Sequence, residues 1–112
     1  MPNPNKAKGS KFELDVERYL QGEGLDAKRP RQTGNRDVGD LHVEGDWILQ
    51  LKNWANIASA VREGSAGAVV QAEHAGRPYG AAVIKKPRGS IADAYVVLPL
   101  RLFARLLLRM RA

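Results

Sequence analysis

The sequence predicts an α/β domain, a central mixed β-sheet flanked by helices. Three observations point to it: apolar residues recur at helical spacing in three separated stretches, short alternating runs lie between them, and the order reads helix, three strands, helix, two strands, helix. A chain of 112 residues with 44% apolar and 27% charged residues can bury one core, and is expected to fold as a single domain over residues 10–112.

Met1 to Gly9 hold two prolines, two asparagines and two lysines without apolar periodicity, which predicts a flexible basic arm at 1–9. Ser10-Lys11-Phe12-Glu13 has the form of a capping box, and Phe12, Val16, Tyr19 and Leu20 then line one helical face, ending near Gly22 or Gly24. Leu25 to Arg31 reads as a short strand that Pro30 confines to an edge, and Gln32-Thr33-Gly34-Asn35 as a loop. Val38 to Val43 and Trp47 to Lys52 are the two clearest strands, joined by the tight turn Glu44-Gly45-Asp46. Ile57, Val61, Val69 and Ala72 predict a helix from Ala55 to Ala75, with Gly64 and Gly67 weakening it near Ser65. Ala81 to Lys85 and Tyr95 to Leu98 read as strands about the loop Pro87-Arg88-Gly89-Ser90, and Pro99 opens a last helix, Leu100 to Met110.

The formal net charge is +6 and the sequence pI about 10.0, which makes a polyanion the natural partner. Nucleic acid is favoured over a membrane, since no apolar run is long enough to span one and no secretory leader opens the chain. The absence of cysteine excludes disulfides, thiolate zinc sites and cysteine nucleophiles, and a cytoplasmic protein is expected.

At strand period, Asp40, Gln50 and Lys52 gather at one edge of the central hairpin. Gln50 and Lys52 share one face of a strand whose other positions are apolar, and a polar pair there is costly unless paired or used; the plain alternative is the solvent face of an edge strand. Asp40 alone would read as a turn aspartate capping its own backbone. Together, Asp40 and the Gln50 oxygen could hold a magnesium ion, while the Lys52 ammonium offsets charge building on a phosphoryl group. Glutamine carries no charge, so a further acid is wanted. Glu13 can serve, although its spacing from Ser10 also fits the capping box, and Asp37 is another possible ligand.

The series Lys8-Gly9-Ser10-Lys11-Phe12-Glu13, then Gly39-Asp40, then Gln50-Leu51-Lys52, resembles the Holliday junction resolvases of archaeal and phage type, within the PD-(D/E)XK nuclease superfamily. The resemblance covers about residues 8 to 86 and departs from the family twice, with Gln50 in place of an acid and Gly39 in place of a common proline. It implies a restriction-endonuclease-like fold and a magnesium-dependent endodeoxyribonuclease, manganese being able to substitute. It implies Glu13, Asp40, Gln50 and Lys52 as catalytic residues, the first three as metal ligands. It also implies a homodimer that resolves four-way junctions in the cytoplasm of a bacterial or archaeal cell, with a phage origin possible.

Lys6, Lys8, Lys11, Lys28, Arg29, Arg31 and Arg36 precede the site in sequence, and Lys85, Lys86 and Arg88 follow the fourth strand; both groups suit phosphate contacts with branched or duplex DNA. Trp47 and Trp54 read as packing residues, and His42 and His74 are assigned no chemistry. In the last helix, Arg101, Arg105 and Arg109 form a stripe, expected to face solvent while the apolar side packs on the domain; a membrane-surface helix is the other option. Two further functions remain open: a nuclease on linear or modified duplex, and a non-catalytic nucleic-acid-binding module that lost one acid at Gln50.

Overall fold

The computed structural model describes residues 4–30 and 39–111. The elements are α1 (Pro4–Gly22), β1 (Ala27–Lys28), β2 (Leu41–Val43), β3 (Trp47–Lys52), α2 (Ile57–Ala75), β4 (Tyr79–Ile84), β5 (Tyr95–Val97) and α3 (Leu100–Arg111), in the expected order, with a 3-10 turn at Ile91–Asp93 before β5. The five strands form one mixed sheet in the order β1-β2-β3-β4-β5. Only β3 and β4 run parallel, with α2 as their crossover, and the other neighbours are antiparallel. The fold is therefore α/β, with a central mixed sheet flanked by helices.

Strand alternation sorts the core onto two faces. Leu49 and Leu51 of β3, with Leu41, Val43, Ala81 and Val83, pack under Phe12 and Val16 of α1. Ala82 and Ile84 pack under Ala60, Ile57 and Val61 of α2. Ile48, Gln50 and Lys52, at the alternate positions of β3, belong to the α2 side.

The first helix starts earlier than the sequence suggests. Residues 4–9, expected to belong to a flexible arm, lie within α1. Proline is well suited to a first helical position and the alanine and lysines after it are good helix formers, so the missing amphipathic signal hid a real helix. Ser10 is consequently mid-helix and not its N-cap, so the capping box does not form.

The second helix does not break at Ser65. Asn56 caps it, its side chain accepting from the Ser59 N–H at 3.0 Å, and Gly76 ends it at φ 67°. Gly64 is buried: a Cβ there would lie 3.0 Å from Ala82 Cβ and 3.4 Å from Lys52 Cγ. Its role is close approach of helix to sheet, which offsets its poor propensity. Gly80 of β4 is tighter still, since a Cβ would fall 2.4 Å from the Ala68 carbonyl oxygen of α2. Gly80→Ala is thus expected to destabilise the protein by about 1–3 kcal/mol through overpacking. Urea melts will read this, and an unchanged midpoint would mean that α2 does not sit on β4 as described.

The last helix meets expectation only in part: Arg101, Arg105 and Arg109 are exposed as predicted, but most of the apolar side is exposed as well. Leu102 is its one buried residue, Arg101 and Arg105 line a cleft against α2, and the Arg109 guanidinium lies 5.1 Å from the Tyr79 ring centroid. Leu100, Phe103, Leu107, Leu108 and Met110 are exposed. The long apolar stems of the arginines can still cover Tyr79 and the end of α2. Among the described residues no helix is long and apolar enough to cross a membrane.

Candidate active site

Gly39 has φ 95°, and a Cβ there would lie 2.1 Å from Ile48 Cγ2. No side chain fits, and proline, whose φ is near −65°, could not adopt this conformation. Glycine at position 39 follows from this turn, which sets Asp40 at the mouth of β2.

Asp40 is held across the hairpin by two bonds. Its N–H donates to the Leu49 carbonyl at 3.0 Å, and its Oδ2 accepts from the Leu51 N–H at 2.8 Å. These bonds bracket Gln50. The strand register, Leu41 opposite Leu49, carried one step further, sets Asp40 opposite Gln50. Gln50 Oε1 is buried and has no hydrogen-bond partner among the described residues. An unsatisfied buried acceptor costs about 1–3 kcal/mol, which a ligand at the hairpin edge would recover.

Glu13 reaches the same edge from α1. It lines a cleft of about 240 Å³ with Arg29, Pro30, Gly39 and Asp40. Burial pushes its carboxyl above the ordinary range, the Asp40 charge pushes it the same way, and the Arg29 charge opposes both. Two acids drawn together, one of them partly desolvated, form a place where positive charge is wanted. Arg29, read from sequence as a general phosphate contact, supplies part of it. Its Nε also lies 3.9 Å from Glu17 Oε1. The sequence marks Arg29 only as one of several basic residues, because only the pairing of β1 with β2 carries it to Glu13.

Lys52 is placed differently. Its Nζ stands 4.4 Å from the centroid of the Trp54 ring, on the α2 side of the sheet. The Glu13–Asp40 cleft is lined by neither Gln50 nor Lys52. Glu13 and Asp40 thus meet in the cleft, while Gln50 and Lys52 approach the same strand end from beneath α2. Among the described residues no group of three His, Cys, Asp or Glu is assembled, so the oxygen set is two carboxylates and an amide. Asp37, Arg31 and Arg36 lie outside the described residues.

Trp47 packs as expected, its ring centroid 4.9 Å from that of Tyr79. Trp54 does not: it is exposed, and with Lys8, Gly9, Leu51 and Asn53 it lines a second hollow of about 370 Å³ beyond the end of β3. Lys8, Lys11, Lys28, Lys86 and Arg88 are exposed and Lys85 is half-buried. Lys11 pairs with Asp15 at 3.0 Å, an exposed pair that contributes little. No family model matches this chain, and no curated protein or solved structure matches it significantly.

Proposed function

We propose that the protein is a magnesium-dependent, structure-selective endodeoxyribonuclease that hydrolyses phosphodiesters at four-way junctions. The observation that carries this reading is the orphaned Gln50 Oε1 opposite an Asp40 that is clamped to β3 and shares a cleft with Glu13.

The donor set fits a hard divalent cation, since it offers oxygen ligands alone and one of them is a buried acceptor in want of a partner. Asp40, Gln50 and Glu13 would hold magnesium, with manganese as substitute; when bound, the ion would polarise the phosphoryl oxygens and acidify an attacking water. Asp40 supplies fixed negative charge, its carboxylate unable to swing away while Leu51 N–H holds it. Glu13, whose carboxyl is raised by burial and by the Asp40 charge, is suited to take a proton from the attacking water. Lys52 carries an ammonium on a flexible stem, so its resting place over Trp54 is within reach of the strand end, where it would offset charge on the phosphoryl group. Lys8, Lys11, Lys28, Arg29, Lys85, Lys86 and Arg88 would follow the DNA backbone.

Paired cuts in a junction need two sites, and one small subunit offers one, so the active species is a homodimer acting in the cytoplasm. A second copy would cover the exposed apolar residues of α3, an otherwise unfavourable patch. Labelled four-way junction and matched linear duplex, each incubated with and without magnesium, test the reading. Cleavage of the junction that needs the metal is expected, by a species that sediments as a dimer. Equal cutting of linear duplex would move the substrate to ordinary DNA, and binding without any cutting would leave a non-catalytic module.

A further inference from the structure

We propose that the cleft between α2 and α3 is a second phosphate-binding site, one that holds the backbone of a DNA arm away from the cutting centre. It rests on the nuclease reading only for the identity of the polyanion. The cleft measures about 150 Å³ and is lined by Arg77, Arg101 and Arg105, with Glu73, Pro78 and Gly80 among its walls. Three guanidiniums against one carboxylate leave an excess of two positive charges. Arg101 and Arg105 stand one turn apart on α3, a helix with no acidic residue, and neither makes an ion pair or hydrogen bond among the described residues. Arg77 is steadied by donating through Nη1 to the Gly45 carbonyl. Guanidiniums that line one cleft without a carboxylate partner are suited to phosphate, whose oxygens their planar donor forks match. The cleft has room for a phosphate group.

The position also suits a distant backbone contact. The cleft adjoins the start of β4, where Tyr79 pairs with Trp47, whereas the candidate active site lies at the other end of β3. Five residue steps, from Trp47 to Lys52 at about 3.3 Å each, separate the two by about 17 Å. At about 3.4 Å per nucleotide along a strand, that is about five steps from the cut.

The test compares Arg101→Gln/Arg105→Gln with the charge-matched Arg18→Gln/Arg62→Gln, whose arginines are exposed on α1 and α2 outside the cleft. Glutamine keeps helix propensity, so both variants fold, as thermal melts will verify. Binding of a labelled four-way junction is measured by fluorescence anisotropy without divalent metal, from low to moderate salt. The cleft variant is expected to bind about tenfold more weakly, with the slope of log K against log salt reduced by about 1.8, the loss of two phosphate contacts. The control should keep the parental slope within about half a unit. Equal losses in both variants would reduce the effect to net charge and overturn the proposal, as would a parental slope in the cleft variant. If the parent itself binds no DNA, the nuclease reading fails as well. Inorganic phosphate is the remaining arm: if it stabilises the parent and not the cleft variant while DNA affinity is the same in both, the cleft serves a free anion and the DNA contact is refuted.

Discussion

Asp40→Asn is expected to give a folded protein that still binds junction DNA but cleaves it at least ~1,000-fold more slowly, the scale of losing a metal ligand together with its charge. Folding should survive because an asparagine oxygen can accept from Leu51 N–H as the aspartate does at 2.8 Å, and the bond to the Leu49 carbonyl comes from the backbone. Lys52→Ala should abolish cleavage by another route. Its ammonium takes no part in holding metal, so magnesium affinity should be parental while turnover is lost. The contact with Trp54 is worth about 0.5–1 kcal/mol at an exposed ring, so stability changes little. Magnesium titration and single-turnover cleavage of both variants separate these roles; near-parental turnover in either would remove that residue from the site.

Glu13→Gln carries the second large effect, and it predicts opposite changes in two readouts. Cleavage should fall at least ~100-fold, the scale of losing a positioned general base or ligand. Stability of the metal-free protein should rise at neutral pH. The folded carboxyl sits above its ordinary range, mainly through burial, so the native state prefers the protonated form. Its stabilising effect is full below the unfolded value and is lost as pH rises through the raised one. Glutamine resembles the protonated acid at every pH. The variant should therefore melt above the parent at pH 7 and with it at low pH, the gap opening through the raised range. Magnesium should reverse the order, since it binds the parent's ionised Glu13 and stabilises by mass action. A variant that melts below the parent at pH 7 and cuts at the parental rate would return Glu13 to a structural role.

That reading of Glu13 depends on where α1 begins. In the sequence, Ser10 and Glu13 fit a capping box as well as a ligand, and local spacing cannot choose between them. The start of α1 at Pro4 removes the cap and leaves the carboxyl to the cleft it shares with Asp40. The same limit applies to α2. Gly64 counts against a helix by propensity, but its missing Cβ is what lets the helix approach Ala82. Propensity is a property of the isolated segment, and tertiary contact overrides it.

The order of elements, the mixed sheet and the central hairpin were all legible in the residues alone, and so was the gathering of Asp40 and Gln50 at one edge of that hairpin. These features are set by nearest neighbours: the period of two along β2 and β3, and a turn through Glu44 and Gly45, both at positive φ, that fixes which residues oppose each other. Tertiary structure alone decided that Arg29 joins Glu13 in the cleft, that Trp54 carries Lys52 at the surface, and that α3 sets Arg101 and Arg105 along the cleft with α2 while Leu100, Leu107 and Leu108 face outward. Periodicity identifies two faces of a helix but not which of them meets the rest of the chain. That choice is made by the surface already present, and here it is Tyr79 and the end of α2, which arginine stems cover while their charged heads remain in water.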